Sequence, residues 1–495
     1  MDGAPSPSAI VRSALAEPSN SNASRGSDSG SNARGGDSGG KNDGINDDVT
    51  DGNSRAVPDD WPMAHDGSEW DGTRLLDLTR RGEGPFRTAW DVDAFVAEVE
   101  QILKAKVVDI PAVSRGANHY GLHVQLDNRP DVVARLSRHD VNTPGVHGSE
   151  LEGTQRQLSR FELATYDALQ TLAASSLPHA QVFGGRPLHH RDPVAWPSPG
   201  VTPPSPPCLM EALMSRPAVC RTIIGRGLFL FEKASGQGYD YVRWRALSPA
   251  QKNFLLAQSA QAAATLFEYW LPAEYAWTWL PVRLAELQQR QASRDVAPTR
   301  DFCEYMMHAR IDFALARFAP RALDLFSRVA TVRGILHWLV PRVLPHAGNG
   351  LSEAALYRLV LDHGDFGMHN MTIATDKQGW PWITSVYDWE GASIVPAVLS
   401  EPKMVVTADL VLDDEGEPTV SRWGDGDSLP RMDEYLGWSR EYYRELFRQS
   451  PEYRRVIEAS KDARIIWFAM RGLETAEPGA LFSRLYEWAK QQTTG

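Results

Sequence analysis

Leu361-Asp362-His363-Gly364-Asp365-Phe366-Gly367-Met368-His369-Asn370, followed by Ser385-Val386-Tyr387-Asp388-Trp389-Glu390-Gly391, carries the strongest structural signal in this chain. The apolar run Leu359-Val360-Leu361 leads into a turn at His363-Gly364-Asp365. Met371-Thr372-Ile373 then reads as a strand, and Asp376-Lys377-Gln378-Gly379 as a turn with glycine at its end. Trp382-Ile383-Thr384-Ser385-Val386-Tyr387 reads as a second strand, which delivers Asp388. A hairpin of this kind brings Asp365, Asn370 and Asp388 near one another. The residue types fit one chemistry. A carboxylate can accept the proton of an attacking hydroxyl. An amide oxygen and a second carboxylate are hard ligands, suited to Mg²⁺ that bridges nucleotide phosphates.

Working outward, Asn370 follows Asp365 by five positions. Protein kinases space the Asp and Asn of His-Arg-Asp-xxxx-Asn in the same way, and here Gly364 replaces the arginine. HGDxxxxN with a later DWE resembles the aminoglycoside phosphotransferase-like family, relatives of the protein kinases, and within it the fungal branch of unassigned substrates. The resemblance covers residues 92–403 and is strongest at 361–396. It implies an α+β, two-lobed, protein-kinase-like fold with a small antiparallel-sheet N-lobe and a mostly helical C-lobe. It further implies Asp365 as catalytic base, Asn370 and Asp388 as metal ligands, Mg²⁺ as cofactor, ATP or GTP as donor and a small hydroxyl-bearing molecule as acceptor. The bland alternative is a chance string in a loop.

Upstream, Phe95, Val99, Ile102 and Leu103 recur at helical spacing behind a capping Asp91. Val107–Ile110, Leu122–Leu126 and Asp131–Leu136 read as strands, joined by a turn-rich loop at 114–121 and a turn at 127–130. The loop lacks GxGxxG. Its Gly116 and Asn118 match residues that the family often has there, as candidate nucleotide contacts, and they also suit an ordinary hairpin. Arg135 stands where kinases have the phosphate-pairing Lys. Its fork suits phosphate oxygens, although a strand arginine can equally face solvent, and Arg138 competes for the role. On the helix Phe161–Leu172, Glu162 is the acidic partner that would orient Arg135, or else a plain surface glutamate. Leu177–Gly184 resembles the family's proline-containing approach to the next strand, with Ala180 in place of the second proline. Residues 185–207 read as an exposed Pro-rich insertion. Two segments compete for the hinge, Cys208–Glu211 and Leu228–Lys233. The second is the longer apolar strand, and Gly236 follows its Glu232 in the family's Glu-x-x-x-Gly, which makes Glu232 a candidate nucleotide contact.

The Ser-, Asn-, Gly- and Asp-rich stretch at 17–56 holds too few apolar side chains to offset ordering entropy. The expected organisation is a disordered tail at 1–56, a nucleotide-binding lobe at 57–235 and a helical lobe at 236–495; a modified or partner-binding tail is the alternative. A net charge of −12 without a basic stripe argues against nucleic acid and anionic membrane as partners. Cys208, Cys220 and Cys303 form no CxxC, so neither zinc nor a disulfide framework is indicated. The apolar stretch Ile335–Leu344 is broken by His337, Pro341 and Arg342, and no apolar leader is recognisable, so a cytoplasmic protein is expected. Helices are expected from Ser248-Pro249 onward and at 280–292, 301–318, 322–340, 432–449, 451–471 and 479–491. Met306, Met307, Tyr442 and Tyr443 read as core. The acidic run Asp409–Asp427 reads as a solvated loop. His369 and Glu390 flank the motif and could assist positioning, without a required role in this chemistry.

Three functions are compatible with these residues. The first is a small-molecule phosphotransferase. The second is a protein kinase, against which stand the HGD in place of HRD and the lack of an Ala-Pro-Glu segment after Asp388. The third is a non-catalytic nucleotide-binding pseudokinase or scaffold. Retention of all three groups of the metal and base set favours the first. The acceptor, the choice of ATP or GTP and the oligomeric state are not legible.

Overall fold

The computed structural model describes residues 61–64, 66–87, 89–116, 118–138, 148–177, 179–193, 223, 225–284, 287, 296–321, 326–406, 408–412, 418–423, 429–473 and 478–494. The expected tail at 1–56 and the hinge alternative Cys208–Glu211 lie outside these residues.

Two helices lead in, α1 (Leu75–Arg80) and α2 (Val92–Leu103). Asp91 caps α2 by accepting from the Ala94 amide. Three strands follow, β1 (Val107–Arg115), β2 (His119–Leu126) and β3 (Val132–Ser137). Helix α3 (Gly148–Ala173) precedes β4 (Pro187–Arg191) and β5 (Leu228–Glu232). The sheet order is β1-β2-β3-β5-β4, antiparallel throughout. The period-two alternation of a strand fixes what each face carries. Tyr120, Leu122 and Val124 of β2 and Val132, Ala134 and Leu136 of β3 are buried on one face. Trp61, Trp70, Phe86 and Trp90, from a segment without periodicity, cover that face around Tyr120. The same alternation turns Arg135 to the opposite face, toward α3.

The chain leaves β5 through residues 233–240. Gln237 exchanges backbone bonds with Ile373, at 3.1 and 2.9 Å. Gly236 makes this approach possible: its φ is +97°, and a Cβ there would lie 2.3 Å from the Ile373 carbonyl oxygen. The helical lobe opens with α4 (Tyr241–Ala246) and α5 (Pro249–Glu268), the latter started by a capping box between Ser248 and Gln251. Next come α6 (Ala273–Arg283), α7 (Arg300–Phe318), α8 (Phe326–Val343) and α9 (Glu353–Tyr357). Strand β6 (Leu359–Asp362) pairs with β9 (Ser393–Pro396), and between them β7 (Met371–Thr375) and β8 (Pro381–Val386) form the expected hairpin. Strands β10 (Ala408–Leu412) and β11 (Pro418–Trp423) precede α10 (Leu429–Gln449), α11 (Pro451–Ala459), α12 (Lys461–Gly472) and α13 (Pro478–Thr494).

Two apolar cores result. One joins the sheet to α1 and α2, while the larger one fills the helical lobe and takes in α3 through Phe161, Tyr166, Leu169 and Leu172. Met306, Met307, Tyr442 and Tyr443 lie inside the larger core. Cys303 is buried and unpaired. No helix among the described residues is long and apolar enough to cross a membrane.

Several elements differ from the sequence reading. The stretch 185–207 is not wholly an insertion, because Pro187–Arg191 forms the sheet-edge strand β4 against β5. An edge strand has one partner and tolerates proline at its first position, so neither alternation nor absence of proline betrays it. The acidic run from Asp409 contains the antiparallel pair β10 and β11. The helix expected at 451–471 is two helices divided at Ser460, whose hydroxyl bonds back to the Val456 carbonyl at 2.7 Å. The helix at 161–172 begins earlier, at Gly148, and the helix expected at 280–292 is described over Ala273–Arg283.

Candidate active site

Between β6 and β7 the backbone is pinned from several sides. The Gly364 amide donates to Asp362 Oδ1 at 3.0 Å, and Lys403 Nζ donates to the Gly364 carbonyl at 2.6 Å. The Met368 amide donates to the Val405 carbonyl at 2.7 Å. Gly364 has φ +79°, and a Cβ on it would stand 2.3 Å from the Gly391 carbonyl oxygen. The chain thus has no room at this position for the arginine that kinases carry. His363 is buried, which pushes its imidazole toward the neutral form. Its Nε2–H donates to the Tyr387 carbonyl at 2.9 Å, tying the loop to the residue before Asp388.

Asp365 is exposed at the rim of this loop. Its Oδ2 accepts from His369 Nε2 at 2.9 Å and from Asn370 Nδ2 at 3.0 Å. The His369 hydrogen bond is the main reason its carboxyl is held down, to about 2. Asn370 Nδ2 also donates to the Asp365 carbonyl at 2.9 Å. With the amide nitrogen committed to Asp365, Oδ1 of Asn370 turns to the other side. The Asn370 carbonyl in turn accepts from the Tyr387 amide at 3.0 Å, which sets Asp388 beside the loop. Asp388 adopts φ +67° and ψ +61°, a left-handed conformation that aspartate tolerates better than most residues.

Arg135 is the hub of the cleft. Nη1 donates to Glu162 Oε1 on α3 at 2.5 Å. Nη2 donates to Asp388 Oδ1 at 2.8 Å and to Glu390 Oε2 at 3.2 Å. Glu162 is 1% exposed; burial pushes its carboxyl up against the pull of the guanidinium. His119 Nδ1 lies 3.1 Å from both Arg135 Nη2 and Glu390 Oε2, so one imidazole proton decides which of them it serves. Asn118 Nδ2 donates to Glu390 Oε1. Burial raises the Glu390 carboxyl, but its bonds to His119 and Asn118 and the charge of Arg135 outweigh that and lower it to about 2.

The sequence-derived residues divide accordingly. Arg135, Glu162 and Asp388 meet directly, Asp365 and Asn370 meet beside them, and Asn118 joins through Glu390. Gly116 closes the β1–β2 turn, its amide donating to the His119 carbonyl at 2.9 Å. Arg138, the competitor of Arg135, instead supports that turn by donating to the Gly116 carbonyl at 2.6 Å. Glu232 is exposed at the end of β5, and among the described residues no side-chain bond joins it to the Arg135 cluster. His119 and Lys403 were missed, while Glu390 and His369 were named only as flanking residues without a required role. Glu390 and His369 stand next to motif residues, and that adjacency was the signal available for them.

No cluster of three or more His, Cys, Asp or Glu side chains suited to a metal occurs among the described residues. Asn370 and Asp388 nevertheless suit Mg²⁺. That ion keeps several waters and takes phosphate oxygens, so two protein oxygens suffice, and with its nitrogen bonded to Asp365 the Asn370 side chain would offer its oxygen. Three carboxylates on one guanidinium also leave the cleft short of positive charge for a polyphosphate.

An antiparallel sheet whose third strand pairs an arginine with a helix glutamate, joined to a helical lobe bearing an Asp–Asn loop and a hairpin aspartate, is the two-lobed α+β arrangement that the sequence resemblance implies. No protein-family model matches the chain, and no curated protein matches it. Among solved structures it is similar to the streptomycin–ATP–APH(2")-IIa ternary complex, with 10% identity over 81% of this chain and 96% of that one, at a TM-score of 0.41. It is also similar to ADP-bound aminoglycoside phosphotransferase APH(2'')-Ib, with 11% identity over 81% and 97% of the two chains and a TM-score of 0.40. For macrolide 2'-phosphotransferase MphH from Brachybacterium faecium the values are 12% identity, 80% and 97% coverage and a TM-score of 0.35.

Proposed function

We propose that this protein transfers the terminal phosphoryl group of ATP or GTP to a hydroxyl of a small molecule. The observation that carries the reading is the meeting of Arg135, Glu162 and Asp388 across the cleft, with Asp365 and Asn370 on the adjoining loop. Asp365 accepts the acceptor's hydroxyl proton as its oxygen forms a bond to the γ-phosphorus. The bond from that phosphorus to the β–γ bridging oxygen breaks, and ADP or GDP leaves. The His369 hydrogen bond lowers the Asp365 carboxyl, so it is ionised at neutral pH. Arg135, oriented by Glu162, binds phosphate oxygens. Asn370 and Asp388 hold Mg²⁺, which supplies neutralisation of phosphate charge. Gly116, Asn118 and the strand end at Glu232 border the nucleotide.

Thermal unfolding with Mg²⁺-ATP and Mg²⁺-GTP, on wild type and on Asp388→Ala, tests this reading. Nucleotide at 100 times its dissociation constant stabilises the folded state by about 2.7 kcal/mol. A shift that needs Mg²⁺ and disappears in Asp388→Ala supports the site and selects the nucleotide. No shift with either nucleotide sinks the reading.

A further inference from the structure

Glu390 receives more donors than any role in the transfer step requires. Its Oε1 accepts from Asn118 Nδ2, in the turn between β1 and β2. Its Oε2 lies 3.1 Å from His119 Nδ1 at the start of β2 and 3.2 Å from Arg135 Nη2 on β3. Three groups of the sheet lobe thus converge on one carboxylate of the helical lobe. The turn they belong to is itself braced, because Arg138 Nη1 holds the Gly116 carbonyl and the Arg138 amide donates to the Asn118 carbonyl at 2.8 Å. Movement of Asn118 and His119 therefore moves the whole turn.

We propose that Glu390 is a positioning residue that latches the β1–β2 turn onto the helical lobe and competes with nucleotide phosphates for Arg135. The idea rests on the phosphotransferase reading, and it assigns Glu390 no metal. Phosphate oxygens and the Glu390 carboxylate seek the same N–H groups on Arg135. Each phosphate that arrives must take Arg135 from Glu390, which leaves the turn held to that carboxylate by Asn118 and His119 alone. A cation on Asp388 and Asn370 relieves the repulsion between phosphate and carboxylate, so the latch makes binding more dependent on Mg²⁺ than the two ligands alone would.

The test uses full-length wild type, Glu390→Gln and Asn118→Ala, with ATP binding measured by calorimetry in EDTA and in Mg²⁺. Glutamine keeps the shape and removes the charge. Glu390→Gln is expected to bind metal-free ATP about tenfold tighter, as a like charge beside the phosphates is lost, with Mg²⁺-ATP affinity falling no more than a small factor. Amide hydrogen exchange over 116–121 is expected to rise in both variants. Weaker Mg²⁺-ATP binding in Glu390→Gln, with metal-free binding unchanged, identifies a metal ligand and overturns the proposal. Unchanged affinities and unchanged exchange overturn it as well. If wild type binds no nucleotide, the phosphotransferase reading and the competition fail together, and unchanged exchange would then remove the latch too.

Discussion

At the scale of single residues, the proposed reaction divides labour between one group that would react and others that would hold it. Asp365 bonds to His369 and Asn370 and, among the described residues, its side chain bonds to no member of the Arg135 cluster. Asp365→Ala is therefore expected to abolish turnover of nucleotide while leaving the nucleotide-induced thermal shift in place; near-normal turnover would remove Asp365 as the base. Gly364 makes a different kind of prediction. Alanine there needs a left-handed backbone and sets a Cβ 2.3 Å from a carbonyl oxygen. Gly364→Ala should cost about 1–3 kcal/mol, read as a lower denaturant midpoint at unchanged slope. The nearness of Asp365, Asn370 and Asp388 was legible because motif spacing and a hairpin are local, whereas Arg135 and Glu162 were legible only as candidates from the resemblance, each with a solvent-facing alternative. Glu390's partners were not, because Asn118 and Arg135 reach it across most of the chain, and nothing in local sequence encodes such a meeting.

At the scale of elements, the strands and helices with strong periodicity or caps were readable. Asp91 before α2, Ser248-Pro249 before α5 and the β7–β8 hairpin are examples. The elements that escaped lack that local signature. Strand β4 is short and polar on a sheet edge, β10 and β11 flank acidic residues, and the break between α11 and α12 depends on a serine that helices often tolerate. One joint between elements lends itself to measurement. Arg358, 3% exposed, donates to the Phe267 carbonyl on α5, the Ala355 carbonyl on α9 and Glu452 on α11, each at 2.9 Å. Replacing it with leucine keeps the apolar stem and strands buried carbonyls. A loss of about 2–3 kcal/mol in denaturant unfolding is expected, and a change below about 0.5 kcal/mol would show the joint to be dispensable.

For the whole molecule, charge networks reinforce joints that the larger apolar core also makes. Glu401, 6% exposed at its side chain, pairs with Arg471 at 2.6 Å and with Lys403 at 3.5 Å, and Lys403 in turn holds the Gly364 carbonyl. Burial pushes the Glu401 carboxyl up, but Arg471 and Lys403 outweigh it and lower it from 4.5 to about 2. A lowered carboxylate stabilises the fold fully above its unfolded pKa, and that contribution drains away as pH falls through the folded value. Stability should therefore drop between about pH 4.5 and 2, and Glu401→Gln should lose less across that window; equal losses would remove Glu401 from the acid response. The linker after β5 has a mechanical meaning as well. Because Gln237 is stitched to Ile373, the far end of the linker is bolted to the β7–β8 hairpin. Any change of angle between sheet and hairpin then falls on Ala234, a one-residue hinge pin between Lys233, whose amide donates to the Asp131 carbonyl, and Ser235, whose carbonyl accepts from Thr384 Oγ1.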